Sequence, residues 1–263
     1  MNIDNRNTKS VVLKKFEQLL ELKYSGSTPK NYLHHVKLFL DFLNKPPNRI
    51  NNEDILSYNI SIRDCGHSFR NGSINAIKAY FNLYLRKKVK GFSSIRPPSR
   101  KTLPQVYDFE TTKIKIDAIT NLKHQLILHL GLHCWFRHGE VRDLKIKNIS
   151  RKKLTIFIEQ SKGCKDGEID ISETTLNLII KYYREYKPKE FLFEGQSGGR
   201  YASINKVCQN HLGFKFHSLR ASGANQANIL GFPTFDISKK LRHSNIKTTE
   251  FYLRPNLKSL VNI

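Results

Sequence analysis

The sequence predicts a mainly α-helical protein with one small β-hairpin, divided into two domains. Three observations carry this reading. Apolar residues recur at spacings of three and four through much of residues 1–90, as on one face of a helix. A proline-bearing basic stretch around residues 91–104 then breaks every period. Beyond it, a β-branched and aromatic run at 154–158 is followed by an alternating run at 168–172, which reads as a strand pair within otherwise helical sequence. The chain has 263 residues, which fits one or two domains of about 100–200 residues each.

The elements follow in order. Val12, Phe16, Leu19, Leu20 and Tyr24 share a face of a first helix. Thr28 with Pro29 opens a second, because proline is preset for the first helical turn; Tyr32, Val36, Phe39 and Leu43 form its apolar stripe, and Lys45-Pro46-Pro47 ends it. Asn51 or Asn52 caps a third helix carrying Ile55 and Tyr58, and Ser73 opens a fourth with Ile74, Ile77, Phe81 and Leu85 inside. Together they make a four-helix domain over residues 1–90. Residues 91–104 read as a linker and 105–263 as a mixed α/β domain. In the latter, Thr111–Ile119, Gln125–Leu132 and residues 173–187 are helical, Leu154–Ile158 and Glu168–Ser172 form the hairpin around a polar loop, and short helices complete the chain.

Composition narrows the partners. Lys and Arg number 45 against 22 Asp and Glu, a formal charge of +23. The excess is +11 in residues 1–100 and +12 in 101–263, so it belongs to both domains and not to a detachable tail. With 39% apolar residues the chain builds cores, which excludes a disordered basic tail. A folded, evenly basic protein points to a polyanion, nucleic acid first. No run approaches the roughly 20 apolar residues of a membrane span, and the polar start lacks a signal-peptide core, so a cytoplasmic, DNA-associated protein without membrane contact is expected. Cys65, Cys134, Cys164 and Cys208 form no CxxC pair, and His133, Cys134 and His138 lack a second ligand pair at zinc spacing.

Four segments of the second domain hold residues suited to phosphoryl transfer: 135–141 with Arg137 and Glu140, 159–163 with Lys162, 217–220 with His217 and Arg220, and 241–252 with His243 and Tyr252. In that order they resemble the tyrosine recombinase, or phage integrase, family, whose catalytic set runs Arg, Lys, His-x-x-Arg, His, Tyr. Arg137 matches the first arginine in an Arg-x-Gly-Glu setting. Lys162 falls where the family places a hairpin lysine, with Lys165 as a competitor. His217 and Arg220 match the His-x-x-Arg pair, His243 the later histidine, and Tyr252, nine residues on, the nucleophile. Residues 1–90 resemble the family's SAM-like core-binding domain, so the resemblance covers almost the whole chain. It departs at three places: Trp135 stands in the segment usually reading Thr-Gly-Leu-Arg, Arg242 stands where a glycine usually precedes the histidine, and Ala221 follows the second arginine where a histidine or similar polar residue is common. Arg242 is expected to add a phosphate contact.

The resemblance implies that Tyr252 attacks a DNA phosphodiester, expels a 5′-hydroxyl and leaves a 3′-phosphotyrosyl link, which conserves the bond energy without metal, ATP or other cofactor. Arg137 and Arg220 would clamp the non-bridging oxygens, His217 would take the phenol proton, Lys162 would protonate the leaving oxygen, His243 would hydrogen-bond the phosphate, and Glu140 would hold Arg137. A double-stranded recombination site and a homotetramer on DNA are the implied partners, with the apolar tail at Leu257, Leu260 and Val261 docking on a neighbour or on its own domain. Integration of a mobile element is the expected role; chromosome-dimer resolution of the Xer type, type IB topoisomerase-like relaxation and a non-catalytic DNA-binding factor are the alternatives.

Overall fold

In a computed structural model, residues 3–46, 49–88, 96–97, 104–161 and 165–253 are described. The chain divides into two compact units, residues 1–101 and 102–263. Helices dominate both, and among the described residues the one sheet lies in the second.

The first unit is made of α1 (Ile3–Lys23), α2 (Thr28–Leu43), α3 (Asn52–Ser61) and α4 (His67–Leu83). Phe16, Leu20, Val36, Phe39, Ile74, Ile77 and Tyr80 are buried in its centre, with the Phe16 and Tyr80 rings edge to face at 5.2 Å. Helix α2 starts with Ser27, not Thr28, as its cap residue, and no side-chain bond closes that end. It stops at Asn44, whose left-handed backbone (φ 47°) lets its N–H reach the Leu40 carbonyl. At α3 the Asn51 side chain accepts from the Asp54 N–H while Asp54 accepts from the Asn51 N–H, a reciprocal capping box. Helix α4 begins six residues before Ser73, which is buried inside it. At Gly72 a Cβ would lie 2.8 Å from His35 Nε2, so this glycine serves the close approach of α4 to α2. Of the expected linker, Arg96, Pro97 and Pro104 are described; Arg96 donates to Asn71 and Asn75 on α4 at 3.2 and 2.8 Å.

The second unit wraps around α6 (Leu122–His133), which is buried on all sides through Leu126, Ile127, Leu128, Leu130 and Leu132. Around it stand α5 (Phe109–Asp117), α7 (His138–Asp143), α8 (Glu173–Tyr186), α9 (Ile204–Leu212) and α10 (His217–Ile229). The short helices α11 (Thr234–Leu241) and α12 (Ile246–Tyr252) end the described chain.

The sheet has three antiparallel strands in sequence order: β1 (Ile149–Ser150), β2 (Thr155–Ser161) and β3 (Lys165–Asp170). Ile156 faces Ile169 and Ile158 faces Gly167 across the β2–β3 ladder. The three isoleucines are buried while Phe157 points outward, the alternation of a strand with one face on the core. Pairing runs further than the sequence suggested. The ladder resumes at Ser161 with Lys165 after a bulge past Ile158, so much of the expected loop is strand. The two-residue β1 had no sequence signal of its own.

Candidate active site

Two close approaches bring the site together. Helix α10 carries Ala221, Ser222, Gly223 and Ala224 where it crosses the end of α6. A Cβ on Gly223 would lie 2.2 Å from the Leu132 carbonyl oxygen and 2.3 Å from Trp135 Nε1, so only glycine fits. Gly131 of α6 meets Phe216 in the same way, at 2.7 Å. The N-terminal turn of α10, with His217 and Arg220, is thereby pressed against the corner at Cys134–Arg137.

That corner turns because Trp135 adopts left-handed backbone, φ 57°. Arg242, which ends α11, does the same at φ 52°. These are the two positions where the sequence departs from the family's glycines. Glycine enters this region freely, whereas other residues are disfavoured by about 1–2 kcal/mol. Both side chains here are well engaged: Lys240 sits 4.5 Å over the Trp135 ring, and Arg242 pairs with Glu140.

Arg137 stands immediately before α7, and Glu140 is in that helix's first turn. The Glu140 carboxylate accepts from the Arg137 backbone N–H at 2.8 Å and from its Nη1 at 2.7 Å. Its Oε2 also accepts from Arg242 Nη2. Burial pushes this carboxyl up, but the Arg242 charge, the Arg137 N–H and the Arg137 charge outweigh it and hold it below the usual carboxylate range. Arg242 is thus turned onto a carboxylate, with its side chain 11% exposed.

Arg220 has no exposed surface. Its Nη1 donates to the Trp135 carbonyl at 2.5 Å and its Nη2 to the Leu241 carbonyl. Arg137 Nη2 reaches toward the Leu241 and Arg242 carbonyls at 3.4 and 3.5 Å. Both guanidiniums therefore meet at the C-terminal end of α11, where helix carbonyls lack partners and favour cations.

The two histidines feel this charge. Burial lowers the pKa of His217, and Arg220, Arg137 and His138 lower it further. Burial, then Arg220, Arg137, His217 and Arg242, bring His243 down to about 4. Both rings are neutral at pH 7, His217 in the form that accepts a proton. His243 Nδ1 lies 2.9 Å from the hydroxyl of Thr249, which is fully buried in α12. Thr249 is the contact that sequence reasoning missed. It lies inside the motif ending at Tyr252, but nothing in the order of residues indicated its bond to His243.

The structure therefore gathers Arg137, Glu140, His217, Arg220 and His243 around one concentration of positive charge. Tyr252 is the last residue of α12, three positions past Thr249; its side chain lies outside the described residues. Lys162 also lies outside them, between the ends of β2 and β3. Among the described residues, no three His, Cys, Asp or Glu side chains converge to hold a metal ion, and no helix is long and apolar enough to cross a membrane. The described cysteines of this unit are poor nucleophiles, because burial pushes Cys134 up to about 11 and Cys208 to about 12.

Residues 101–258 match the phage integrase family, and residues 12–91 match the N-terminal SAM-like domain of phage integrases. Tyrosine recombinase XerA from Pyrococcus furiosus is 29% identical over 272 residues, covering 97% of this chain and 93% of the relative. XerA from Saccharolobus solfataricus is 25% identical, covering 90% and 85%. Among solved structures, a XerA recombinase superposes with a TM-score of 0.54 at 22% identity, covering 96% of both chains. A λ integrase dimer bound to a core site superposes at 0.72 and 14% identity, covering 94% of this chain and 95% of that one; these two likenesses concern the fold. Matched along almost its whole length, the chain belongs to the phage integrase family, the tyrosine recombinases, enzymes of site-specific DNA recombination.

Proposed function

We propose that the chain cleaves one strand of a duplex recombination site with Tyr252 and holds it as a 3′-phosphotyrosyl ester until another 5′-hydroxyl attacks. The observation that carries this reading is the convergence of Arg137, Arg220, neutral His217 and neutral His243 at the end of α11, with Tyr252 closing the next helix.

The chemistry follows from the groups. A phenol titrates near 10, so Tyr252 needs its proton removed as it attacks, and His217 in its neutral form is the base. Negative charge on the non-bridging oxygens grows toward the transition state. Arg137, partly exposed beside Glu140, meets it with a fixed planar fork. Arg220 adds charge from beneath and reaches the phosphate by exchanging a carbonyl for an oxyanion. His243, steadied by Thr249, donates to the phosphate. Lys162, between β2 and β3 in the sequence, protonates the departing 5′-oxygen. Phosphorus–oxygen bonds are exchanged one for one, so the ester's energy is kept for rejoining.

The partners in this reading are duplex DNA, met by the basic surface of both units, and further copies of the chain, as a tetramer on two sites. A solved neighbour is a λ integrase tetramer on a Holliday junction, which supports that assembly. Residues 1–90 would be the core-binding domain, 91–104 the linker and 105–263 the catalytic domain. We assign the activity to a mobile element, on the strength of the divergent Trp135 and Arg242 positions. The XerA relatives favour the second reading, chromosome-dimer resolution; sequencing the natural DNA junctions decides between them.

The test begins by selecting duplexes from a randomised library on the wild-type chain for detergent-resistant attachment. A nick beside the scissile phosphate of the selected duplex then releases a short 5′-hydroxyl fragment and traps the adduct. The reading requires an adduct with wild type and none with Tyr252→Phe. An equal adduct with both overturns it.

A further inference from the structure

Arg242 is joined to three parts of the site. Its guanidinium pairs with buried Glu140, which itself holds Arg137. The same guanidinium stands 5.9 Å over the Phe136 ring. Its aliphatic stem lies against β3: a Cβ on Gly167 would come within 2.9 Å of Arg242 Cδ. Gly167 faces Ile158 across the ladder, next to the bulge between Ile158 and Ser161. One side chain thus links the strand pair to the carboxylate that orients Arg137.

We propose that Arg242 is a positioning residue that docks the β2–β3 hairpin, and the leaving-group acid it carries, onto the arginine cluster. This rests on the reading of the active site above, in which the hairpin supplies that acid. The backbone supports it. Arg242 holds a left-handed conformation that glycine would take without penalty. A glycine would therefore serve the turn better, and the arginine earns its place through its side chain. Its low exposure and its pairing with Glu140 leave the packing stem, not the charge, as the part that faces the hairpin.

Arg242→Gly separates this role from a capping role, because the substitution relaxes the turn while deleting the stem. On the selected nicked duplex with an ordinary phosphodiester, adduct formation should slow by about tenfold to a hundredfold, the scale set by small misplacements of a reacting group. On the same duplex with a 5′-bridging sulfur, which leaves without a proton, the rate should return nearly to wild type. Gly167→Ala should give the same signature by pushing on the stem, and should add nothing in the Arg242→Gly background. An unimpaired rate for Arg242→Gly on the phosphodiester overturns the proposal, as does an equal loss on both substrates. Should Arg242→Gly fail to fold, Gly167→Ala alone decides: sulfur-rescued loss supports docking and a wild-type rate refutes it. Absence of any adduct from the wild-type chain would fail the active-site reading and this inference with it. A wild-type adduct with unimpaired variants fails the inference alone.

Discussion

Arg137 and Arg220 bring the same charge to the site on different footings. Arg220 is fully buried and supports the Trp135 and Leu241 carbonyls. Arg137 is partly exposed, and its carboxylate partner has Arg242 as well. Alanine at either position should cost orders of magnitude in cleavage, since a charged hydrogen bond is worth about 1.5–3 kcal/mol even in a ground state and more where charge develops. Only Arg220→Ala should also lower the thermal midpoint markedly, because it strands buried carbonyls. Equal midpoints for the two variants, or near-wild-type cleavage by either, would contradict these placements. Lys162 calls for a chemical test. Lys162→Ala should fail on a phosphodiester and recover on the 5′-bridging phosphorothiolate, whose thiolate has a pKa far below that of an alcohol (about 8.5 for a thiol). Lys165→Ala should cleave both. Rescue of Lys165→Ala instead would move the acid three residues along. At this scale the sequence revealed residue types and their order, because chemistry restricts them tightly. It hid the Glu140–Arg242 pair and the His243–Thr249 bond: the first joins residues 102 positions apart, and neither partner was a residue to which a motif assigned that contact.

At the scale of elements, periodicity revealed most of the helices and the strand pair, because one buried face imposes a regular spacing. It failed where burial is not one-sided or where a helix start carries no side-chain cap. Helix α4 was started too late, at Ser73, because its true start at His67 carries no side-chain cap to signal it, and Gly72 within it faces His35. Gly223 gives the sharpest consequence. Alanine there drives a methyl into the Leu132 carbonyl and the Trp135 indole, and forced overpacking typically costs about 1–3 kcal/mol. Gly223→Ala should lower the midpoint and also impair cleavage, since α10 would lift His217 and Arg220 from the corner. Chemical denaturation and adduct assays on one preparation check this; a variant as stable and active as wild type would show that the approach is looser than described.

For the molecule as a whole, buried neutral histidines tie stability to acidity. His243 is brought down to about 4 and His129 to about 3, both mainly by burial, and His133 and His217 are lowered too. In the unfolded chain these rings bind protons below about 6.5. Between that value and the folded values the unfolded state holds more protons, so stability present at neutral pH drains away as pH falls from about 6.5 toward 4. Thermal midpoints should be level from pH 7 to 8 and drop steadily below 6.5; a midpoint that rises on acidification would contradict the burial of these rings as neutral groups.

The division into two units was legible from the break in period at 91–104, and the evenly divided charge of +23 marked both as basic. How the site closes on DNA could not be read from either, since it depends on contacts made by the nucleic acid itself. We propose that Tyr252, and no other group, becomes joined to the 3′-phosphate. Digesting the trapped adduct with trypsin and nuclease and sequencing the nucleotide-bearing peptide by mass spectrometry identifies the attached residue. The expected peptide carries a 3′-phosphoryl nucleotide on Tyr252, and the adduct disappears in Tyr252→Phe. A nucleotide on any other residue, or attached through a 5′-phosphate, would contradict it.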